Sequence, residues 1–387
     1  MLPIGEEDEQ LLFLPLAHIF AKLLEWTAIS KGSITAFAEG ISKLVDNMQE
    51  IRPTYMGSVP RVYEKVYTKL QTKFADKRKS VIAGKLLDWA LSVGKRCSLE
   101  RQKGREPSGL LGLQMALADK LVFAKVTETF GGKLRFFVSG GAPLAREIGE
   151  FFHAAGILIL EGYGLTETTA ATHVNHPGAY RFGSVGRALV GVDTKIAEDG
   201  EILVRGDNIL AHYYHNAAAT REVIDDEGWF HTGDVGVIED GFLRITDRKK
   251  DIIVTAGGKN VAPQNHENTL KALCPYVSQV MVHGDQRPFL TALVTLAEDS
   301  IRGFADEKGM GGQGVAELSQ NPHVVALIQG YVNKLNATLP SYDTIKKFAI
   351  LPQDLSLEAG ELTPTLKVKR KFCSEKYKTI LDGFYAN

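Results

Sequence analysis

Two kinds of hydrophobic spacing alternate along the chain, and the change from one to the other marks its architecture. Between residues 60 and 130 apolar positions recur at helical, heptad-like intervals among many charges, as in Ile82-Ala83-Gly84-Lys85-Leu86-Leu87-Asp88-Trp89-Ala90-Leu91. A stretch bearing Gly, Pro and Ser, Gly104 to Gly109, separates two such helices. Leu134-Arg135-Phe136-Phe137-Val138 is then a short apolar run closed by Ser139-Gly140-Gly141-Ala142-Pro143. Leu144, Ile148, Phe151 and Phe152 follow at helical spacing, with Pro143 expected in the first helical turn and Gly156 as the stop. Ile157-Leu158-Ile159-Leu160 is a second apolar run. This spacing predicts a β-α-β unit whose strands, apolar throughout, belong to a parallel sheet covered on both faces.

From about 182 to 246 the runs are shorter and β-rich: Thr194 to Ala197, Glu201 to Val204 and Gly241 to Ile245, parted by the turn signals Glu198-Asp199-Gly200 and Glu239-Asp240-Gly241. A charged joint, Asp247-Arg248-Lys249-Lys250-Asp251, precedes a mixed region in which Val277 to Val282 and Thr291 to Leu296 alternate with helices. The loop Gly309 to Gly314 is expected to be a mobile surface excursion. The main domain boundary is placed at the charged joint.

Composition narrows the class. The 387 residues are too many for one compact core, and 44% hydrophobic with 24% charged is ordinary for a globular protein. A net charge of −1 gives no global pull toward nucleic acid, so any phosphate site must come from local groups. Cys97, Cys274 and Cys373 lie far apart and form no metal-ligand spacing, which favours free thiols in a reducing cytoplasm. The acidic start Glu6-Glu7-Asp8-Glu9 is unlike a secretory leader. Leu11 to Trp26, broken by Pro15, His18, Lys22 and Glu25, falls short of the ~20 apolar residues a membrane span needs. A cytoplasmic protein, at most peripheral to a membrane, is expected.

Both Gly-rich segments of the β-α-β unit stand at the carboxyl end of a parallel strand, where backbone N–H groups and helix N-termini converge on ligands. The second reads Glu161-Gly162-Tyr163-Gly164-Leu165-Thr166-Glu167-Thr168-Thr169 and is expected to be a turn. Its glycines allow close approach to a ligand, Tyr163 offers a flat face for a base, Thr166 a hydroxyl for a phosphate, and Glu167 a hard oxygen for Mg²⁺. Glu167 stands where a dinucleotide fingerprint needs its third glycine. Gly258-Lys259 is followed by Asn260 and lacks the upstream glycine of a Walker loop. Neither a Rossmann dehydrogenase nor a P-loop ATPase fits.

The segment Gly162 to Thr169 resembles the YGxTE signature of the acyl- and aryl-adenylate-forming superfamily. Gly228-Trp229-Phe230-His231-Thr232-Gly233-Asp234 is similar to its GWFxTGD motif, and Asp247 to Asp251, running on to Gly257-Gly258-Lys259-Asn260, to its hinge-and-loop motif. Thr363-Pro364-Thr365-Leu366-Lys367-Val368-Lys369-Arg370 resembles its C-terminal lysine motif. Phe13-Leu14-Pro15-Leu16-Ala17-His18, Val59 to Val66, the long helical insertion and Phe136 to Leu144 are similar to the long-chain fatty-acyl-CoA synthetase branch.

The resemblance implies an α/β fold. A partial large adenylate-forming domain over residues 1–246 combines a parallel-sheet core with a β-rich subdomain and carries the helical insertion at about 60–130. A hinge at 247–251 joins it to a smaller mobile α+β domain over 252–387. The resemblance further implies activation of a long-chain fatty acid by ATP and Mg²⁺ to acyl-AMP, then transfer to coenzyme A. Gly140, Gly141 and Ala142 line the adenine pocket, Gly162 and Gly164 belong to the nucleotide-binding set, and Tyr163 stacks on the base. Thr166 contacts the α-phosphate, Glu167 holds Mg²⁺, and Asp234 with Arg248 holds the ribose. Lys250 is the hinge, Gly257 and Gly258 border the pantetheine tunnel, and Lys367 is the adenylation lysine.

Singly, each feature has an ordinary explanation. A Gly-Tyr-Gly after a strand is more often a tight turn, Asp234 can cap local backbone, and the basic run from Lys367 is usually a solvated face. The ordered set of four reverses those odds. Relatives in the superfamily carry a Ser/Thr/Gly-rich loop ending in Pro-Lys-Gly ahead of the Phe13 to His18 motif, and no such loop stands in this sequence. The expectation is a large domain lacking its first part, with an exposed apolar face that favours self-association. Three functional readings stay open: the ligase, an inactive remnant that binds adenylate or CoA, and a fatty-acyl-AMP ligase with another acceptor.

Overall fold

A computed structural model describes residues 2–363 and 366–386, leaving out the side chains of Ser42, Ala75 and Asp76. Pro364 and Thr365 of the lysine motif thus lie outside the described residues. The chain forms two compact units: Met1–Tyr63 with Phe74–Ile245, and Glu64–Lys73 with Thr246–Asn387.

The first unit is built on a seven-stranded sheet. Its strands are β1 (Glu9–Leu12), β2 (Ile34–Phe37), β3 (Tyr55–Ser58), β4 (Phe136–Ser139), β5 (Leu158–Leu165), β6 (Ala170–Val174) and β7 (Arg187–Ala188), in the order β2-β1-β3-β4-β5-β6-β7. Pairing is parallel from β2 through to β5 and antiparallel beyond. All four residues of β4 are buried, as its apolar run requires. Phe136 and Val138 pack with Tyr55 and Leu160, while the alternate Phe137 meets the rings of Tyr63 and Phe130. Both faces are covered, which is why the strand is apolar up to Ser139 at its end.

Helices α1 (Ile19–Lys31), α2 (Leu44–Ile51), α3 (Pro60–Arg78), α4 (Val81–Gln102), α5 (Gly109–Ala118), α6 (Ala124–Glu128) and α7 (Arg146–Ala154) connect these strands. The region from 60 to 130 is helical as its spacing predicts, and α4 buries Leu87, Ala90, Val93 and Cys97 along one face.

Two local expectations are corrected. Pro143 lies outside α7, whose N-cap is Ala145. The Leu144 N–H donates to the Glu161 carboxylate at 3.2 Å, and that tie keeps the chain extended for two residues past the proline. The segment Gly162 to Leu165 is strand rather than turn: β5 passes through it and pairs with β6 across a bulge at Tyr163/Gly164. Gly164 permits this, because a Cβ there would sit 1.4 Å from the Ala170 carbonyl oxygen. The turn falls at Thr166–Thr168, with Thr169 left-handed at φ 50°.

A four-stranded antiparallel sheet follows: β8 (Val192–Ile196), β9 (Glu201–Gly206), β10 (Phe230–Glu239) and β11 (Phe242–Arg248), ordered β11-β10-β9-β8, with α8 (Ala217–Val223) before β10. Asp240 and Gly241 make the β10–β11 turn with φ of 52° and 81°, where the sequence signalled one. Tyr163, Val185, Ile202, Val204, Phe230 and Leu243 form the core beneath this sheet.

In the second unit the hairpin β12 (Ile253–Val254) and β13 (Asn260–Val261) leads into α9 (Pro263–Leu273). A three-stranded sheet joins β14 (Val277–His283), β15 (Leu290–Leu296) and β16 (Ile345–Ile350). Helices α10 (Glu298–Glu307), α11 (Val315–Leu318) and α12 (Pro322–Asn336) separate β15 from β16, which pair in parallel. The loop 309–314 is anchored at Met310, buried in this unit's core, and at Gln313, whose Oε1 accepts the Asn321 side-chain amide at 3.0 Å.

Apolar side chains do remain exposed: Ile34 (59%) and Phe37 (62%) on the outermost strand β2, and Trp26 (56%) and Ile29 (72%) on α1. Among the described residues no helix is long and apolar enough to cross a membrane.

Candidate functional site

Strands β4 and β5 pair in register, Ser139 opposite Glu161, so the glycine-bearing segment that leaves the end of β4 starts beside the Gly162–Gly164 stretch within β5. After β4, Gly140 keeps the sheet direction by donating to the Ser58 carbonyl at 3.1 Å, and Gly141 turns the chain at φ 83°. Ala142 is half-buried beside them. The Ser139 hydroxyl is buried here with no hydrogen-bond partner among the described residues. Such an orphan at a strand end invites a ligand.

Glu161 is a fully buried carboxyl. Burial pushes its pKa up to about 7, eased by the N–H groups of Leu144 and Gly183. It ties the β4 loop to β5.

Two residues on, Tyr163 turns its ring into the core beneath the second sheet and remains only 8% exposed. Its hydroxyl donates to Asp234 Oδ2 at 2.7 Å. Asp234 is buried and delivered by a tightly held strand. The Thr232 hydroxyl donates to the Ile202 carbonyl at 2.7 Å and accepts the Asp234 N–H at 3.1 Å. Glu201 accepts the Gly233 N–H at 2.8 Å and faces His231 Nδ1 at 3.2 Å. The Thr-Gly-Asp segment thus reaches Tyr163 with the Gly233 and Asp234 N–H groups already satisfied. The glycine supplies the φ of 70° that this bend needs.

Thr166 is exposed at the end of β5. The Thr168 hydroxyl, accepting the Leu165 N–H at 2.8 Å, closes this turn. Glu167 Oε1 accepts the Tyr213 hydroxyl at 3.0 Å, and the Glu167 carbonyl accepts the Leu210 N–H at 2.7 Å. Tyr163, Thr166, Glu167, Asp234 and the Gly140–Ala142 loop therefore all belong to the first unit, at the carboxyl ends of β4 and β5 and the strand beside them.

The remaining candidates belong to the second unit. The Arg248 N–H donates to Asp247 Oδ1 at 2.6 Å, and burial raises Asp247 to about 6. Lys250 is exposed in the turn that follows β11. Gly257 and Gly258 form the tip of the β12–β13 hairpin, where Gly258 adopts φ 72° and donates to Thr255 at 2.8 Å. Lys367 stands on a return held by Thr363 N–H to Lys367 O at 2.8 Å and by Lys369 N–H to Glu361 O at 2.8 Å. The buried Glu361 in turn binds Lys376 Nζ at 2.8 Å and the Tyr377 hydroxyl.

Sequence reasoning missed Ser139, Glu161, Glu201 and Tyr213. Glu161 had a signal, an acid directly after an apolar strand run. Tyr213 had none, because its partner is 46 positions away.

Residues 2–214 match the AMP-binding enzyme family, and residues 250–387 match its C-terminal domain. The chain is 40% identical over 380 residues to long-chain-fatty-acid–CoA ligase FadD15 of Mycobacterium bovis, covering 98% of this chain and 62% of that protein. It is 38% identical over 391 residues to a putative fatty-acid–CoA ligase, fadD11, of Mycobacterium tuberculosis, covering 100% of this chain and 68% of that one. The fold matches the adenylation domain of carboxylic acid reductase from Segniliparus rugosus, solved with AMP and a co-purified carboxylic acid. That match has a TM-score of 0.72 at 21% identity and covers 98% of this chain and 54% of that one. Spanning about three fifths of the first relative's length, the chain belongs to the AMP-binding enzyme family.

Proposed function

We propose that this chain carries the adenylate site of a long-chain fatty acid–CoA ligase, which activates a fatty acid with ATP and passes the acyl group to coenzyme A. The observation that carries the reading is the Tyr163–Asp234 hydrogen bond, which ties the Gly-Tyr-Gly and Thr-Gly-Asp segments together at a parallel-sheet edge. The names of the relatives supply the substrate class.

A carboxylate attacks phosphorus slowly unless it is positioned and the developing charge is offset. In this reading the Gly140–Ala142 loop and the β5 glycines Gly162 and Gly164 frame the adenine beside Tyr163. Asp234 accepts the ribose hydroxyls, Arg248 assists by donating to the ribose, and the exposed Thr166 donates to the α-phosphate. Lys367 brings a cation to the adenylation step, Gly257 and Gly258 border the thiol's path, and Lys250 is the pivot between the two half-reactions.

Glu167 suits a magnesium ion, which takes one or two carboxylates and fills its shell with waters and phosphate oxygens. Only its Oε1 is engaged among the described residues, so Oε2 is available to the cation. Bound there, Mg²⁺ neutralises phosphate charge.

Palmitate-dependent ATP–pyrophosphate exchange tests the reading. Exchange that disappears in Asp234→Ala supports it; a chain that neither exchanges pyrophosphate nor binds an acyl-adenylate analogue refutes it.

A further inference from the structure

At the opposite, amino-terminal edge of β5, a cavity of about 920 Å³ opens among the end of α4, the start of β5 and the loop 177–181. Its charged lining is lopsided: Arg101, Lys103, Arg181 and Arg187 against the single carboxylate Glu106. That carboxylate is turned to water, with 84% of its side chain exposed, and among the described residues pairs only with Arg101 at 3.3 Å. Arg181 is anchored by Asp240 at 2.8 Å. Arg187 lies 4.7 Å from the centre of the Phe242 ring and has no hydrogen-bonding or ionic partner among the described residues. An unpaired guanidinium braced on an aromatic face is a ready-made anion receptor.

A buried polar chain ends in the same cavity. Gln102 Nε2 donates to Ser98 Oγ at 3.1 Å, Ser98 meets His153 Nδ1 at 2.8 Å, and His153 Nε2 meets the Tyr180 hydroxyl at 3.0 Å. Burial pushes the His153 pKa down to about 4, so the ring is neutral and carries one N–H. The Tyr180 hydroxyl stands at the cavity wall against this ring, and burial, which raises its pKa, keeps its proton in place. Donors and cations converge, and a cavity this size exceeds what one inorganic ion fills.

We infer that this cavity binds a phosphate-bearing small molecule of nucleotide size, with Arg187 and Tyr180 as its principal contacts. The site is independent of the adenylate site, since it lies at the other edge of the sheet and shares none of its residues.

Titration calorimetry of the 387-residue chain with inorganic pyrophosphate tests this. The expected result is binding that weakens as salt rises, falls about tenfold or more in Arg187→Glu and several-fold in Tyr180→Phe, and persists in Asp234→Ala. Arg187 and Lys103 are exposed, so Lys103→Glu repeats the charge reversal without touching the core. The inference is overturned if pyrophosphate does not bind, if both charge reversals bind it as tightly as the natural chain, or if only Asp234→Ala abolishes binding.

Discussion

The Tyr163 hydroxyl donates to Asp234 at 2.7 Å, joining two residues 71 positions apart. Both are buried, so the carboxylate is held by a charge-assisted bond in a setting where water replaces it poorly. Tyr163→Phe removes the donor and leaves the acid short of one partner. A stability loss of about 2 kcal/mol is expected in denaturant unfolding, together with weaker adenylate binding.

Gly164 makes a stronger structural demand. Any side chain there drives a Cβ into the Ala170 carbonyl, so β5 and β6 must separate where the site residues Tyr163 and Thr166 are carried. Gly164→Ala is expected to cost about 3 kcal/mol or more and to lower soluble yield, whereas Gly312→Ala, in open space, stays near neutral. Equal unfolding midpoints for the two variants contradict this.

Stability should depend on pH through Glu161. Its folded pKa of about 7 lies above its ordinary 4.5, so between those values the folded chain keeps a proton that the unfolded chain has released. Its contribution is full below pH 4.5, falls as pH rises to about 7 and is flat above, a span on the order of 3 kcal/mol. The difference in unfolding free energy between the natural chain and Glu161→Gln should follow that slope. His153 gives the opposite one: its folded pKa of about 4 lies below 6.5, so its contribution is lost as pH falls between those values.

Much of this was legible in the residues, and the failures have physical causes. Unbroken apolar runs announced β4 and β5, and Asp-Gly pairs announced the hairpins, because burial on both faces and positive φ are local demands. The strand character of Gly162 to Leu165 was hidden, since glycine has low strand preference and the pairing partner β6 decides the outcome. β16 was hidden too: Lys346 and Lys347 interrupt its apolar pattern by pointing to solvent. The Tyr163–Asp234 contact lay beyond any spacing rule. The motifs named both residues without saying that they touch.

Lys367→Ala separates the two half-reactions. Loss of a cation needed only for adenylation should abolish acyl-AMP formation from ATP while sparing thioester formation from supplied acyl-AMP. Parallel loss of both rates contradicts the assigned role. Lys250→Pro should show the reverse bias, slowing the thioester step more than adenylation.

The exposed Ile34 and Phe37 on the outermost strand β2 form an unprotected edge. Such edges recruit other strands. Phe37→Lys is expected to shift sedimentation toward the monomer, and unchanged sedimentation of an associating chain rules this edge out.

The central claim, that the Tyr163–Asp234 pair marks an adenylate site, is tested most directly by titrating a non-hydrolysable acyl-adenylate analogue into the natural chain and Asp234→Ala. Saturable binding that weakens about tenfold or more in the variant is predicted. Equal affinity in both chains, each still folded, contradicts it.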